Sequence, residues 1–238
     1  MKLHGGAFGD RGGIRPSKAT LEAEDVEATT LGAKTNLDRH IRNMASFGVP
    51  VVVSINRFAS DTDAELAAIT QAAHESGASA VCLTEVHANG GEGGKDLAEA
   101  VVKAVQRHVA AGRPFVPLFT PETDVLEKAS AIATRMYKAE GLELTTKAQR
   151  ELDRIRSWGY GHLPVCMAKT QYSFSHDASL LGAPSGFTVP VREFRLNAGA
   201  GFVVAVLGDM MTMPGLPKRP AALDMDMDED GNLLGVFG

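Results

Sequence analysis

At 238 residues the chain is long enough to bury a sizeable core in one or two domains. With 29 acidic against 24 basic residues and a net charge of -5, it offers no electrostatic footprint for nucleic acid or an anionic membrane surface. Apolar residues at 44% and charged ones at 22% are ordinary globular values, no apolar run approaches the ~18 residues of a membrane span, and two cysteines do not make a disulfide framework.

The first residues, Met1-Lys2-Leu3-His4-Gly5-Gly6, lack the apolar stretch of a secretory signal, which points to a cytoplasmic protein. Residues 1–16 are glycine-rich and aperiodic, the texture of a loop inside a larger chain. From Asp25 to Phe47 the pattern is helical: Leu37, Ile41, Met44 and Ala45 share one stripe, and Gly48 supplies the stop.

Val49-Pro50-Val51-Val52-Val53-Ser54-Ile55 reads as a short strand buried on both faces, the mark of a parallel sheet covered by helices. Asp61–Ser76 follows as a helix, with Ala64, Ala67, Ala68, Ile69, Ala72 and Ala73 at helical spacing and Gly77 as its end. Ala78–Thr84 is a second buried strand, completing a β-α-β unit. Lys95–Ala111 is another amphipathic helix, with Leu97, Ala98, Val101, Val102 and Val105 expected inward. Phe115–Phe119 is a third short apolar run; helices over residues 121–137 and 146–158 follow.

Texture changes at Gly159-Tyr160-Gly161. Beyond it come strands over Leu163–Ala168, Phe187–Arg195 and Phe202–Leu207, then a short terminal hairpin. The fold class expected is α/β, a parallel or mixed sheet with flanking helices (1–158), followed by a smaller β-rich domain (159–238). Cys82 and Cys166 sit in apolar runs and read as buried free thiols.

Ligands of open α/β sheets bind beyond the carboxyl ends of the strands. Those ends here carry Asn56-Arg57-Phe58 and Glu85-Val86-His87-Ala88-Asn89, followed by Gly90-Gly91-Glu92-Gly93-Gly94. Phe58 and His87 at neighbouring strand ends would form a stacking slot for a flat heterocycle; plain core is the alternative for Phe58. The four glycines before a helix permit close backbone approach to a ligand, or simply a tight strand-to-helix connection. They are not a P-loop: Asn89 stands where the first glycine belongs and Asp96 where a magnesium-ligating hydroxyl belongs.

Other motifs are weaker. Asp226-Met227-Asp228-Glu229-Asp230-Gly231 opens like a calcium loop, but Phe237 occupies the position of the bidentate glutamate, so an acidic hairpin turn is the better reading. The seven histidines show no metal-ligand spacing, and there is no G-x-S-x-G elbow. Met210, Met211 and Met213 read as core fillers. Lys169-Thr170-Gln171-Tyr172-Ser173-Phe174 is either a polar loop or the wall of a phosphate or nucleotide site.

Taken together, several blocks resemble the formate–tetrahydrofolate ligase (10-formyltetrahydrofolate synthetase) family. They are Lys2–Gly6, Asn36–Ile41, Phe47–Val53 through Asn56-Arg57-Phe58, Gly90–Gly94, Tyr160–Ser173 and Gly208–Pro217. The resemblance covers nearly the whole chain in order.

It implies an enzyme of one-carbon metabolism that activates formate with ATP and Mg to formyl phosphate and passes the formyl group to N10 of tetrahydrofolate. It also implies subunits that assemble as tetramers, each with a P-loop domain followed by two smaller sheet-containing domains. This chain matches the C-terminal portion. No G-x-x-x-x-G-K-[ST] occurs in it, so the chain alone is expected to be inactive. Carried onto this sequence, the folate slot takes Phe58 on one side; on the other, His87 stands where the family commonly has tryptophan. Asn56, Arg57, Gly90, Gly91, Glu92, Gly93 and Gly94 complete the expected substrate-binding set. A non-catalytic pterin- or nucleotide-binding module is the alternative.

Overall fold

The computed structural model describes residues 1–6, 18–208, 219–229, 231 and 233–234. Most of the glycine-rich start and of the methionine-rich block lie outside those residues. The chain divides into two compact units, Met1–Gly208 and Asp209–Gly238.

After a 3-10 turn at Lys2–Gly5 and a short α1 (Lys18–Glu22), Asp25 accepts the Ala28 N–H at 2.9 Å and so starts α2 (Val26–Gly32). The helix runs on through a π-helical turn (Ala33–Leu37) into α3 (Asp38–Ala45), the single helix its stripe predicts. Gly48, at φ +77°, ends it.

The β-α-β unit forms as expected: β1 (Val52–Asn56), α4 (Asp63–Glu75) and β2 (Ala80–Thr84). The strands pair parallel, from Val52 opposite Ala80 to Asn56 opposite Thr84. A reciprocal capping box starts α4: the Glu65 N–H donates to the Thr62 hydroxyl, and the Thr62 N–H donates to the Glu65 carboxylate. Ile41, Ala73 and Ala78 are the buried centre, with Val51, Val53 and Val81 packed on them.

Burial on both faces does not follow. Val52 and Val53 are half-buried and Ser54 is exposed, because the sheet has only these two strands among the described residues. α5 (Val86–Asn89), a 3-10 turn (Gly90–Gly94) and α6 (Lys95–Ala110) follow. Here a second expectation fails: Val101, Val102 and Val105 are exposed, and Ala104 is the buried residue of α6.

The larger core lies in a four-stranded mixed sheet. α7 (Val125–Ala131) with its π-helical turn (Ile132–Met136), β3 (Gly141–Leu144), α8 (Thr146–Ser157), β4 (Val165–Ala168), β5 (Thr188–Asn197) and β6 (Phe202–Leu207) build it. The order is β3-β5-β6-β4, antiparallel only between β5 and β6. The sheet thus takes strands from both sides of residue 158.

Alternation along β5 places Val189 and Val191 inward. A bulge between Val191 and Glu193 then shifts the phase by one, so that Phe194 is the next buried residue. These side chains meet Ala148, Leu152 and Ile155, at the i, i+4, i+7 positions of α8.

Lys128 is the largest fully buried side chain; its ammonium donates to the carbonyls of Pro121, His162 and Leu163, so the charge is solvated by backbone instead of water. Cys82 is half-buried and Cys166 exposed, so only the expectation of free thiols holds for both. No described helix is long and apolar enough to cross a membrane.

In the second unit, a 3-10 turn (Ala221–Leu223) precedes the antiparallel pair β7 (Asp226–Met227) and β8 (Leu233–Leu234). Gly231, at φ +83°, donates its N–H to the Asp228 carbonyl in the acidic turn between them.

Candidate functional site

Parallel pairing of Asn56 with Thr84 brings the carboxyl ends of β1 and β2 side by side. Two hydroxyls strap them there: Ser54 and Thr84 lie 3.0 Å apart, and Thr84 also donates to the Ile55 carbonyl at 3.2 Å. The Arg57 N–H reaches the Thr84 carbonyl at 3.0 Å, extending the ladder by one bond.

Phe58 then leaves the sheet. Its N–H donates to the Asp61 carboxylate at 2.8 Å, and the Asp61 N–H returns to the Phe58 carbonyl at 3.0 Å. This closed turn holds a ring that is 63% exposed, so Phe58 is not core.

Phe58 and Asn56 line a cavity of about 440 Å³ with Lys2, Thr29, Asp61 and Glu65. Its apolar wall comes from Leu37, Val53, Ile55, Leu66 and Ile69. Glu65 is buried there and fully engaged: it takes Lys2 Nζ at 2.8 Å, the Asp25 N–H at 2.7 Å and the Thr62 N–H at 3.4 Å. Burial pushes its carboxyl up, but those donors outweigh burial and hold it below its usual range. Thr29, also buried, has no hydrogen-bond partner for its hydroxyl among the described residues. No local pattern marks Lys2, Thr29 or Glu65 as neighbours, since they converge from three separate segments.

The second half of the expected set lies at the end of β2. His87 sits exposed on α5, and the described residues show no ring contact between it and Phe58. Arg57 bridges the two halves by long ion pairs, 3.9 Å to Glu85 and 3.7 Å to Asp63.

The four glycines divide by role. A Cβ on Gly93 would stand 2.5 Å from the Glu85 carbonyl group, and its carbonyl receives the Glu85 N–H at 3.1 Å, so this glycine closes the turn. Gly90 has φ +56°. Gly91 faces open space, and Glu92 pairs with Lys95 at 2.6 Å.

The Lys169–Phe174 loop turns its donors inward. Lys169 Nζ gives hydrogen bonds to the Thr170 and Ser173 carbonyls and stands 5.3 Å from the Tyr137 ring centroid. The Ser173 hydroxyl donates to the Leu180 carbonyl at 2.6 Å. The loop docks on α3 through His40 against Phe174 (centroids 4.6 Å apart), and further along the chain the Gly182 carbonyl accepts from Asn36 Nδ2 of the preceding π-helical turn at 3.2 Å. Of the two readings, the polar scaffold accounts for these bonds.

A family model described as formate--tetrahydrofolate ligase matches residues 1–237. The chain belongs to that family. It is 48% identical over 237 residues to the formate--tetrahydrofolate ligase of Roseobacter denitrificans and 49% identical to that of Paracoccus denitrificans. Each alignment takes in 100% of this chain and 40% of the relative, so the chain spans two fifths of the length of the curated relatives it matches.

Proposed function

We propose that this chain is the tetrahydrofolate-binding portion of a formate–tetrahydrofolate ligase, which makes 10-formyltetrahydrofolate from formate and tetrahydrofolate. The observation that carries this reading is the family match over residues 1–237, with Phe58 exposed beside a cavity at the carboxyl end of β1. In this role Phe58 stacks on the flat pterin and Asn56 offers an amide to its polar edge. His87 and the segment Gly90-Gly91-Glu92-Gly93-Gly94 border the slot from β2, and Arg57 holds the two borders together.

The residues of this chain do not fit a Mg-ATP phosphate site. The sequence contains no G-x-x-x-x-G-K-[ST]: beside Gly90–Gly94, Asn89 stands where the first glycine belongs and Asp96 where a magnesium-ligating hydroxyl belongs. Phosphoryl chemistry therefore belongs to the rest of the family polypeptide, a P-loop-bearing portion that is this chain's partner in a cytoplasmic tetramer. What the present residues contribute is positioning: a stacked, desolvated tetrahydrofolate presented at the sheet end.

The test is reconstitution. The chain alone should yield no 10-formyltetrahydrofolate from formate, ATP and tetrahydrofolate. Co-expressed with the part of the Paracoccus relative that has no counterpart here, it should yield product. Turnover by the pure chain, or none from a well-folded co-purified pair, would sink the reading. Tetrahydrofolate binding without turnover in that pair would favour the non-catalytic pterin module.

A further inference from the structure

α6 carries Ala98, Val101, Val102, Val105 and Val109 within one arc of its surface, as 3.6 residues per turn requires. The valines are exposed by 43%, 54%, 53% and 71%. The opposite arc, with Ala100, Ala104 and Arg107, lines a groove of about 860 Å³ against Val49, Pro50 and Ala80 at the amino ends of the strands.

A helix that meets its own sheet through alanines and turns a four-valine stripe outward has the composition of a helix between two layers. The sheet beneath it is equally incomplete. β1 and β2 each have one paired edge, and no described strand pairs with the other. Parallel sheets of only two strands, partly uncovered, are rare because such sheets are normally buried on both faces.

We propose that the valine stripe of α6 is the docking face for the part of the ligase polypeptide outside these 238 residues, whose apolar layer covers α6 while its strands extend the β1–β2 sheet. The occupant is chosen by length. The chain accounts for 40% of each relative, so the larger part of the family polypeptide is available to supply a layer and strands in one continuous body. A second copy would cover the stripe but would bring the same two-stranded sheet with it. The inference rests on the reading that this chain works with the rest of a full-length ligase.

The test uses the chain co-expressed with a tagged version of the Paracoccus segment that lacks a counterpart here. Wild-type chain should co-purify with it. Val101→Asp with Val105→Asp should weaken that association by roughly 100-fold or more, since two charges would be buried unpaired. Because the double variant could fold poorly, a milder probe accompanies it. Val105→Cys should react readily with a maleimide in the chain alone and be protected in the complex. Lys103→Cys, on the opposite arc, should stay reactive in both; peptide mass spectrometry reads each site, with the exposed Cys166 as an internal reference.

Equal labelling of Val105→Cys in chain and complex would overturn the proposal. So would concentration-dependent protection in the chain alone, which would make a second copy the occupant. Product formation with an unprotected Val105→Cys would refute the docking face and leave the ligase reading standing; a protected cysteine without product would do the reverse.

Discussion

Asp61 holds Phe58 through both ends of one short turn, accepting its N–H at 2.8 Å and donating to its carbonyl at 3.0 Å. The two bonds fix the backbone that carries the exposed ring, so less conformational entropy remains to be lost when a ligand stacks on it. In the proposed folate slot, Asp61 would be a positioning residue.

Asp61→Ala keeps the backbone bond and removes the carboxylate. It should weaken tetrahydrofolate binding in the reconstituted pair while changing stability by only about 0.5–1.5 kcal/mol, the net size of one such hydrogen bond. Calorimetric titration beside a urea melt separates the two. A large loss of stability with unaltered affinity would mean that the turn is a structural cap alone.

The loop after β2 offers a paired comparison. Gly93→Ala would press a methyl into the Glu85 backbone and should cost about 1–3 kcal/mol, the usual range for overpacking. Gly91→Ala meets nothing within 4 Å and should leave the melting curve unchanged. If the loop also approaches the ligand closely, Gly91→Ala should still weaken tetrahydrofolate. Equal stability of the two variants would show that the turn is not closed as described.

Glu65 links acid stability to the cavity. Its carboxyl is held below its usual range in the fold, so the unfolded chain binds the proton first. Its stabilising contribution is complete above the ordinary carboxylate range and is lost as pH falls through its lowered value. Glu65→Gln should flatten that acid limb and cost about 1.5–3 kcal/mol at neutral pH, the value of hydrogen bonds to a buried charge. An unchanged acid limb, followed by denaturant midpoints across pH, would contradict this.

His40 acts in a higher window. Burial lowers its proton affinity and Lys169 lowers it further, so on acidification the unfolded chain is protonated before the native one. Stability should fall as pH drops through the ordinary imidazole range and level off below the lowered value. His4, lowered by burial and by the neighbouring N-terminus and His40, adds to the same slope. His40→Gln should reduce the slope between neutral and mildly acid pH; an unaltered slope would place its origin elsewhere.

The fold was legible where packing is local. The valine run at 51–53, the helix ending at Gly77 and the strand to Thr84 predicted the β-α-β unit because each element is built from its own neighbours in sequence. β3 escaped because Leu142 and Leu144 alternate over only four residues, too short a signal between helices. Lys128 escaped because its burial depends on carbonyls brought in from His162 and Leu163. The α6 stripe is apolar, as its periodicity predicts, but faces outward: periodicity identifies an apolar face without naming what covers it. At the site, Asn56 and Phe58 were legible from their place after a strand. The cavity they border was not, because its other walls come from Lys2, Thr29 and Glu65.

The proposed stacking of Phe58 on tetrahydrofolate is measured most directly by a calorimetric titration of tetrahydrofolate into the chain paired with the rest of the ligase. Aromatic stacking contributes about 0.5–1.5 kcal/mol beyond the area it buries. Phe58→Ala should therefore weaken binding by at least that amount, and His87→Trp should tighten it by enlarging the second surface. An affinity unchanged by Phe58→Ala, with the fold intact by circular dichroism, would contradict the account and place the folate elsewhere.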